Sequence, residues 1–446
     1  MIKVITYGTY DLFHYGHQRL LERAKELGDY LIVGVTADDF DKQRGKINVK
    51  QSLMERIESV RATGLADEII IEEYEGQKID DIKRYGVDIF TVGSDWVGHF
   101  DYLKDYCDVI YLERTEGVSS SDIRSKNRSV KLGLVGEGNI LKKFYDESKY
   151  VNGITVNAIS IDNEKEAKFY ENEDLILAKD YDELLTLVDA VFIISHPSKH
   201  YEQVKKALNN KKHVLCESPF AVSKNESIEL QELANDNELI LMDSIKTAYS
   251  TAYNRLLLLI KGGKIGNICS VDATCTSIRE YNDNSWNSIS SWGPTALLPI
   301  FQILGVNYKD KTINSLMLEN NNNFDLFTKI DFIYEDAVAS IKVANGVKSE
   351  GELIISGSEG YAYVPAPWWK TDYFELRFEN IENNRKYFYQ LDGEGIRYEL
   401  VAFAKSIELN KNNTYIVSDI SNAICQIMED FENNNVNYIQ KKDDIK

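Results

Sequence analysis

The sequence lacks closely spaced cysteines, a long apolar run and an excess of positive charge. Its cysteines, at positions 107, 216, 269, 275 and 425, are scattered without the spacing of zinc or redox motifs, so we expect free, buried thiols. Without a signal-peptide layout or eighteen consecutive apolar residues, the chain is expected to be cytoplasmic, with no membrane insertion. The formal charge of -20, from 71 acidic against 51 basic side chains, argues against a nucleic-acid partner.

What the sequence does contain is a regular alternation of strand and helix patterns over its first 128 residues. Apolar runs at residues 4–7, 30–35, 68–71, 89–92 and 109–111 alternate with helical spacing at 18–27, 52–63 and 79–85. This alternation predicts a parallel sheet with crossover helices. Its catalytic loops should then open at the carboxyl ends of the strands.

The most informative stretch joins the first strand to the first helix. It begins Gly8-Thr9-Tyr10-Asp11 and continues to His14, Gly16 and His17. A helix N-terminus presents unpaired N–H groups and the positive end of the helix dipole, and two imidazoles three residues apart add donors at the same place. The stretch therefore predicts an anion site.

The pattern Gly-Thr-Tyr-Asp-x-x-His-x-Gly-His resembles the signature of the nucleotidyltransferase superfamily, in particular the bacterial glycerol-3-phosphate cytidylyltransferases. Further matches follow in the family's order and spacing: Asp38, Arg44, Lys46, Gly93, Ser94, Asp95, Trp96 and the run from Arg114 through Thr115 to Ser121. The resemblance covers residues 1–126. It implies CMP transfer from CTP to a small phosphorylated acceptor, with pyrophosphate release and Mg²⁺ offsetting the triphosphate charge.

The resemblance and the chemistry together give each residue a role. His14 and His17 act on the charge that develops at the α-phosphate, while Lys46 and Arg114 bind phosphates. Ser119 and Ser120 hold the β- and γ-phosphates. Asp11 and Asp95 orient the nucleotide or Mg²⁺, whose protein ligands stay unassigned. The other expected nucleotide contacts are Gly8, Thr9, Tyr10, Asp38, Arg44, Gly93, Trp96 and Thr115. Some relatives with this histidine core use ATP, which stays an alternative to CTP.

A second fold begins at Val130. An apolar strand at residues 131–135 leads into Gly136, Gly138, Asn139 and Ile140, which open a helix, and Asp162 ends the next strand at 157–161. A strand, a Gly-x-Gly turn, a helix and then an acidic residue form a dinucleotide site, with the acid on the ribose. Asp162 favours NAD(H) over NADP(H).

The following residues resemble the Gfo/Idh/MocA oxidoreductase family. The likeness rests on residues 189–193, Pro197, His200, residues 212–219 and residues 263–268. It implies NAD(H) or NADP(H) as cofactor, held by Gly136, Gly138, Asn139, Ile140, Asp162, Ser195, His196, Glu217, Ser218 and Pro219. The family's catalytic lysine, aspartate and histidine are replaced in this sequence by Ser218, Pro299 and Ile303.

Lys246 and Tyr249 are the remaining catalytic candidates of this second fold. They follow a predicted strand at 238–242, so they should lie at the carboxyl edge of the sheet, near the nicotinamide. The lysine can orient the ribose or protonate a carbonyl, and the tyrosine can act as the acid. The alternative is a solvated lysine beside a packed tyrosine.

Beyond residue 264 the apolar pattern has a period of two. It predicts an antiparallel sheet with strands at 324–334, 337–343, 352–356, 374–378 and 387–391, then helices at 397–409 and 418–431 and a loose tail after Glu432. Trp368 and Trp369 either wall a pocket for a base or sugar or pack in the core.

These patterns predict an α/β protein with three domains: a Rossmann-like nucleotidyltransferase domain at residues 1–128, a Rossmann dinucleotide-binding domain at 129–245, and an α+β substrate and oligomerisation domain with an open antiparallel sheet at 246–446. The expected function is bifunctional. CTP and a phosphorylated polyol or ketose give a CDP-activated polyol for a cell-surface polymer, and the C-terminal part reduces a carbonyl with NAD(P)H. The alternative is an inactive oxidoreductase-like module. We expect a homodimer or a higher homo-oligomer.

Overall fold

The structure is a computed structural model. It describes residues 1–446 except 38–50, 75, 114–129, 137, 152, 162–166, 171–172, 174, 279–285, 319–323, 390, 413, 434 and 442–446. The chain forms two units, Met1–Arg128 with Ala404–Asn413, and Ser129–Phe403 with Thr414–Lys446. The three domain boundaries expected from the sequence stay predictions.

The first unit contains a parallel sheet. Its strands are β1 (Lys3–Gly8), β2 (Tyr30–Thr36), β3 (Glu68–Glu72), β4 (Ile89–Gly93) and β5 (Asp108–Leu112), in the order β3-β2-β1-β4-β5. Its helices are α1 (Tyr15–Glu26), α2 (Leu53–Thr63) and α3 (Gln77–Tyr85), with 3-10 turns at Ser94–Trp96 and Asp101–Asp105. Because helices cover the sheet, the central strands are almost continuously buried. The chain leaves β1 toward β2 and returns on the other side at β4, so loops converge at the carboxyl end of β1.

The second unit begins with another parallel sheet. Its strands are β6 (Val130–Gly136), β7 (Ile154–Ser160), β8 (Ile176–Leu177), β9 (Ala190–Ile194), β10 (His213–Glu217) and β11 (Leu241–Ser244), in the order β11-β10-β9-β6-β7-β8. The helices are α4 (Asn139–Ser148), α5 (Tyr181–Leu187), α6 (Pro197–Asn209) and α7 (Lys224–Asp236). The chain reverses direction between β6 and β9, and this switch point is where such sheets bind ligands.

A larger mixed sheet follows in the same unit. Its strands are β12 (Ile268–Ser277), β13 (Asp310–Leu318), β14 (Asp325–Ile333), β15 (Val338–Asn345), β16 (Leu353–Gly357), β17 (Gly360–Val364), β18 (Tyr373–Phe378), β19 (Arg385–Phe388) and β20 (Asn437–Lys441), in the order β19-β18-β17-β16-β12-β15-β14-β13-β20. The helices are α8 (Thr251–Lys261), α9 (Ser288–Leu304), α10 (Ile396–Glu408), of which the residues from Ala404 onward belong to the first unit, and α11 (Ser418–Glu432). Four 3-10 turns join these elements: Lys246–Tyr249, Trp368–Lys370, Ile381–Asn383 and Asp392–Gly395.

The structure corrects two predictions about this sheet. The sheet is mixed, because β12 pairs in parallel with β15, and β13 with β20. The expected loose tail after Glu432 is wrong for residues 437–441, which form β20 and supply hydrogen-bond partners to the outer strand β13. Neither pairing shows in local periodicity, because both join segments far apart in the sequence.

Strand limits also differ from the prediction in several places. The strand expected at 157–161 is β7, which begins at Ile154, and the strand expected at 238–242 is β11, which begins only at Leu241. Glu238 takes a positive φ of 55° after α7, so the chain turns before it extends. The strand expected at 387–391 is β19, at Arg385–Phe388.

The cysteine prediction holds in part. All five thiols are free, and Cys216, Cys275 and Cys425 are buried, whereas Cys107 is half-buried and Cys269, near the start of β12, is exposed. Of the helices in the described ranges, none is both long and apolar enough to cross a bilayer.

Candidate active sites

The loop after β1 is held in an unusual backbone conformation. Tyr10 and Leu12 have φ values of 54° and 46°, in the left-handed region that costs a non-glycine residue about 1–2 kcal/mol. Two hydrogen bonds hold the turn: the Gln51 N–H donates to Asp11 Oδ1 at 2.9 Å, and the Leu12 N–H donates to Gln51 Oε1 at 2.7 Å. The Asp11 carboxylate therefore helps to fix the loop. Its expected role beside the nucleotide or Mg²⁺ stays a prediction.

His14 and His17 lie together at the start of α1. His14 is the N-cap, and its Nδ1 accepts a hydrogen bond from the Gly16 N–H at 3.1 Å. Its ring stacks on that of His17, with the centroids 4.0 Å apart. A Cβ on Gly16 would lie 3.0 Å from the His14 ring, so the glycine leaves room for the cap. The structure thus brings the two predicted histidines to one helix N-terminus.

The hydrogen bond at Nδ1 determines how His14 can act. Because Nδ1 accepts, the neutral ring carries its proton on Nε2. Burial lowers the pKa of His14, which favours this neutral form near pH 7. His14 can therefore donate one hydrogen bond to a phosphate oxygen in front of α1.

A buried arginine, Arg56 on α2, fixes the same edge of the sheet. Its Nη1 donates to the carbonyl oxygens of Thr9, at 2.7 Å, and Thr36, at 2.8 Å, and its Nε donates to the Gln51 carbonyl at 3.2 Å. Thr9 follows β1 and Thr36 ends β2, so one guanidinium joins the carboxyl ends of two paired strands. The sequence analysis missed this residue, although an arginine inside an otherwise buried helix face was a signal.

The remaining predicted nucleotide contacts are only partly described. Gly93 ends β4 beside β1, and Trp96 follows it with 39% of its surface exposed, with its ring centroid 5.6 Å from that of His99. Gly8 ends β1 next to Thr9. Outside the described residues lie Asp38, Arg44, Lys46, Arg114, Thr115, Ser119 and Ser120, as does the side chain of Asp95.

The described residues offer no group of three or more His, Cys, Asp or Glu side chains that could hold a metal ion. The structure therefore gives no protein ligand set for the expected Mg²⁺.

The second unit has a cavity of about 1270 Å³ at the switch point between β6 and β9. It is lined by the ends of several strands and the first turns of the helices that follow them. The predicted cofactor residues that line it are Gly136, Asn139, Ile140, Ser195, His196 and Glu217.

Gly136 and Gly138 fit a dinucleotide turn for different reasons. Gly136 has a φ of 129°, and a Cβ there would lie 2.6 Å from the Ile194 carbonyl oxygen. Gly138 has a φ of 94°, with open space where its Cβ would be. The N-terminus of α4, at Asn139, thus lines the cavity, and a helix N-terminus suits a diphosphate. The chain is compatible with NAD(P)(H), although Asp162 lies outside the described residues.

Several predicted positions do not reach this cavity. Ser218 and Pro219 are buried and are absent from its described lining, as are Pro299 and Ile303 on α9. Tyr249 is also absent from the lining. It is fully buried, and its hydroxyl is 2.9 Å from that of Thr414. The prediction of Tyr249 as the acid is therefore not supported, because the β11 exit turns this side chain into the core.

Lys246 does line the cavity, as expected, and it belongs to an ionic cluster. The Glu394 carboxylate accepts from Lys246 Nζ at 3.0 Å, Lys370 Nζ at 2.7 Å and Lys143 Nζ at 2.5 Å. Burial by itself raises the pKa of Glu394, but the lysines hold it at about 2. The alternative of a merely solvated lysine does not describe Lys246, since its side chain is only 25% exposed.

Glu217 and Glu399 lie near Lys246, and a third carboxyl group, Asp243, lies near those two. Burial raises the pKa of Glu217 to about 7 against the opposing ammonium of Lys246, and Asp243 adds to the rise. Burial raises the pKa of Asp243 to about 6 and that of Glu399 well above its usual value. Glu217 is thus a carboxyl group on the cavity wall that takes up and releases a proton near neutral pH.

Aromatic side chains form another part of the cavity wall. Trp292 and Trp369 pack with their ring centroids 4.8 Å apart, and Trp286 and Phe324 also line the cavity. Trp368 is fully buried and donates its indole N–H to the Thr274 carbonyl at 3.0 Å. Of the two tryptophans considered from the sequence, Trp369 walls the cavity and Trp368 packs in the core.

The sequence analysis missed Lys143, Trp292, Lys370 and Glu394 as cavity residues. One signal was available for Glu394, which stands between two glycines in Asp-Gly-Glu-Gly and has a positive φ of 53°. The lysines gave no signal, because only the fold brings their separate segments together.

Two family models match the chain in succession. The cytidylyltransferase-like model matches residues 5–126, and the model of the oxidoreductase family with an NAD-binding Rossmann fold matches residues 130–244. The glycerol-3-phosphate cytidylyltransferase of Bacillus spizizenii is 51% identical over 130 residues, which are 29% of this chain and 100% of that protein.

Solved structures resemble the second part of the chain. A 3-ketoreductase from Actinomadura kijaniata, in complex with NADP and TDP-benzene, has a TM-score of 0.64 and 16% identity over 70% of this chain and 100% of its own. The UDP-N-acetylglucosamine 3-dehydrogenase of Acidithiobacillus ferrooxidans has a TM-score of 0.57 and 16% identity over 68% of this chain and 96% of its own. At this identity the likeness establishes the fold alone.

Proposed function

Because the chain belongs to the cytidylyltransferase family in its N-terminal part and continues into an oxidoreductase-family domain, we propose that its two activities act on one compound. The first joins CMP from CTP to a small phosphorylated polyol or ketose, and the second reduces a carbonyl of that compound with NAD(P)H. The product is a CDP-activated polyol for a cell-surface polymer of the teichoic-acid type. The proposal includes a cytoplasmic location and self-association.

The transfer needs alignment and charge stabilisation rather than a covalent nucleophile. A phosphate oxygen of the acceptor forms a bond to the α-phosphorus of CTP, and the bond from that phosphorus to the pyrophosphate oxygen breaks. His14 offers its Nε2–H at the N-terminus of α1, with His17 stacked against it. Arg56 and Asp11 keep the loop that carries both histidines in place.

The reduction depends on Lys246. NAD(P)H, when bound, supplies a hydride to the carbonyl carbon of the substrate. Lys246 is the ammonium on the cavity wall that can donate a proton to the carbonyl oxygen, and Glu217 is a carboxyl group within electrostatic reach of it. Under this assignment Lys246, on the 3-10 turn after β11, takes the role of the family's catalytic lysine, whose position after β10 is occupied by Ser218.

The observation that carries the proposal is the position of Lys246, on the wall of the cavity that Gly136 and the α4 N-terminus also line. The test compares Lys246→Met with Lys386→Met in the full-length chain. Lys386 is a lysine beside Glu375 and is absent from the described cavity lining. We expect Lys246→Met to lose carbonyl-dependent NADPH oxidation by about 100-fold or more, with pyrophosphate release from CTP unchanged.

Equal NADPH oxidation by the two variants would contradict the role of Lys246. Pyrophosphate release from ATP at the rate seen with CTP would contradict the choice of nucleotide.

A second candidate function is favoured by the residues at the family's catalytic positions. Ser218, Pro299 and Ile303 stand there, and none belongs to the described cavity lining. In this reading the second unit is a regulatory or dimerisation module without turnover. Absence of a saturable signal in a fluorescence titration of the full-length chain with NADPH would favour this second function.

A further inference from the structure

The cationic cluster around Glu394 contains more positive charge than its carboxylate neutralises. Lys143, Lys246 and Lys370 come from three separate elements and meet at one side chain, at 2.5 to 3.0 Å. Glu394 neutralises one of the three ammonium charges, and Glu217, whose pKa burial raises to about 7, offsets only part of another, so positive charge is left over within a short distance. Like charges held together in this way repel one another, so the arrangement favours a bound anion.

This excess is local rather than a property of the chain. The described cavity lining contains five lysines, adding Lys179 and Lys199 to the cluster, against the three carboxyl groups of Asp180, Glu217 and Glu394. The whole chain has a formal charge of -20. Concave sites with one sign of charge concentrate ligands of the opposite sign, which here means phosphate groups.

The cavity has room for a second ligand beside a dinucleotide. Its volume of about 1270 Å³ exceeds the roughly 300–1,000 Å³ of single-ligand pockets. A dinucleotide would place its diphosphate at the Asn139 end of α4. Lys143 lies about 6 Å further along that helix, while Lys246 and Lys370 come from other segments of the unit.

An aromatic wall adjoins the cluster. Trp369 precedes Lys370 in the chain and packs against Trp292, so an aromatic surface and an ammonium group are neighbours on the cavity wall. Stacking on an aromatic side chain stabilises a bound base. A pyrimidine base attached to a diphosphate matches this combination, whereas a small keto phosphate would leave the aromatic wall unused.

We propose that Lys143, Lys370 and the Trp292–Trp369 wall bind the cytidine diphosphate part of a CDP-linked carbonyl compound, while Lys246 beside them serves the carbonyl. This inference rests on the proposed function and gives its order, since the reductase then acts on the product of the transferase. In the reduction a C–H bond forms at the carbonyl carbon with hydride from NAD(P)H. The oxygen takes a proton, which leaves a CDP-linked alcohol and NAD(P)⁺.

The test measures CDP binding to the full-length chain by calorimetry. We expect two CDP sites per wild-type chain, one from the transferase and one from this cavity. Lys370→Gln should weaken one site about tenfold, the scale of one charged contact, while the control Lys386→Gln keeps both. NADPH binding, followed by fluorescence, should stay within about twofold in both variants.

The outcomes distinguish a CDP-linked substrate from the dinucleotide cofactor as the source of the diphosphate that the cluster binds. A single CDP site in the wild type, or equal CDP binding by the two variants, would overturn the inference. So would a loss of NADPH affinity in Lys370→Gln as large as its loss of CDP affinity, because the cluster would then serve the dinucleotide.

Reduction kinetics test whether CMP transfer precedes the reduction. A CDP-linked ketone should be reduced in preference to the matching keto phosphate, and the opposite preference would overturn the inferred order. If NADPH oxidation fails with every carbonyl compound while Lys370→Gln still weakens one CDP site, the proposed reduction is wrong and the CDP site stands.

Discussion

The imidazole ring of His14 stacks on that of His17 with the centroids 4.0 Å apart, while Nδ1 of His14 caps the helix that carries both residues. One side chain therefore has a structural and a proposed catalytic role, and two substitutions separate them. Asparagine can replace the cap without the ring, whereas alanine removes both.

We expect His14→Asn and His14→Ala each to lower the kcat of pyrophosphate release by about 10²–10³-fold, since each removes a donor to the reacting phosphate. Only His14→Ala should also lose about 1 kcal/mol of unfolding free energy, from the lost cap. Steady-state kinetics and urea denaturation measure the two effects. Normal kcat in His14→Asn would show that His14 is only a cap.

Arg56→Lys should lower transferase activity indirectly, because Arg56 holds the backbone of the loop that carries the histidines. A lysine has a single nitrogen, which cannot bond the carbonyl oxygens of Thr9 and Thr36, as Nη1 does, and also the Gln51 carbonyl that Nε reaches, so we expect a loss of about 1–3 kcal/mol of stability and a lower kcat/KM. Arg61→Lys on the same helix is the control. Unchanged kinetics in Arg56→Lys would mean that the loop holds its shape without the guanidinium.

Glu58 should make the first unit less stable as the pH rises. Both of its carboxylate oxygens are buried without a hydrogen bond, and burial raises its pKa to about 8 against the charges of Arg61 and Lys405. Between its usual pKa of about 4.3 and about 8, the folded state keeps a proton that the unfolded chain releases. The free energy of unfolding therefore falls through this window, by at most about 1.4 kcal/mol per pH unit.

Denaturation curves of Glu58→Gln should lose this slope, while those of Glu113→Gln, which changes an exposed carboxyl group of the same unit, should keep it. The same slope in Glu58→Gln and the wild type would assign the pH dependence to other groups.

Gly136→Ala and Gly138→Ala should differ in severity. A Cβ at residue 136 would lie 2.6 Å from the Ile194 carbonyl oxygen, whereas residue 138 has open space and only its positive φ as an obstacle. We expect Gly136→Ala to abolish NADPH binding and Gly138→Ala to weaken it by about tenfold, from strain of about 1–2 kcal/mol. Equal NADPH affinity in the two variants would contradict this steric account.

Glu394→Gln should destabilise the second unit at low salt. It removes the carboxylate that separates Lys143, Lys246 and Lys370, so we expect a loss of about 1 kcal/mol that shrinks as added salt screens the repulsion. Thermal unfolding at two salt concentrations measures this effect. A loss that does not change with salt would indicate a packing defect instead.

Local patterns predicted the parallel sheets well because each buried strand and each amphipathic helix carries its own signal. The strand before Gly8, the helix after His14 and the glycine turn at Gly136 all lie where their spacing placed them. The prediction failed at β20 and at the parallel pairing of β12, where the partners are distant in the sequence.

The sequence by itself determined the resemblance to two families, the position of His14 and His17 at the helix start after β1, and that of Lys246 just after β11, because these depend on short motifs and on the alternation of elements. Only the tertiary structure decided that Tyr249 faces the core, that Arg56 joins two strand ends, and that three lysines meet at Glu394. Side-chain direction and charge clustering depend on segments that approach one another only after folding, and no local pattern records that approach.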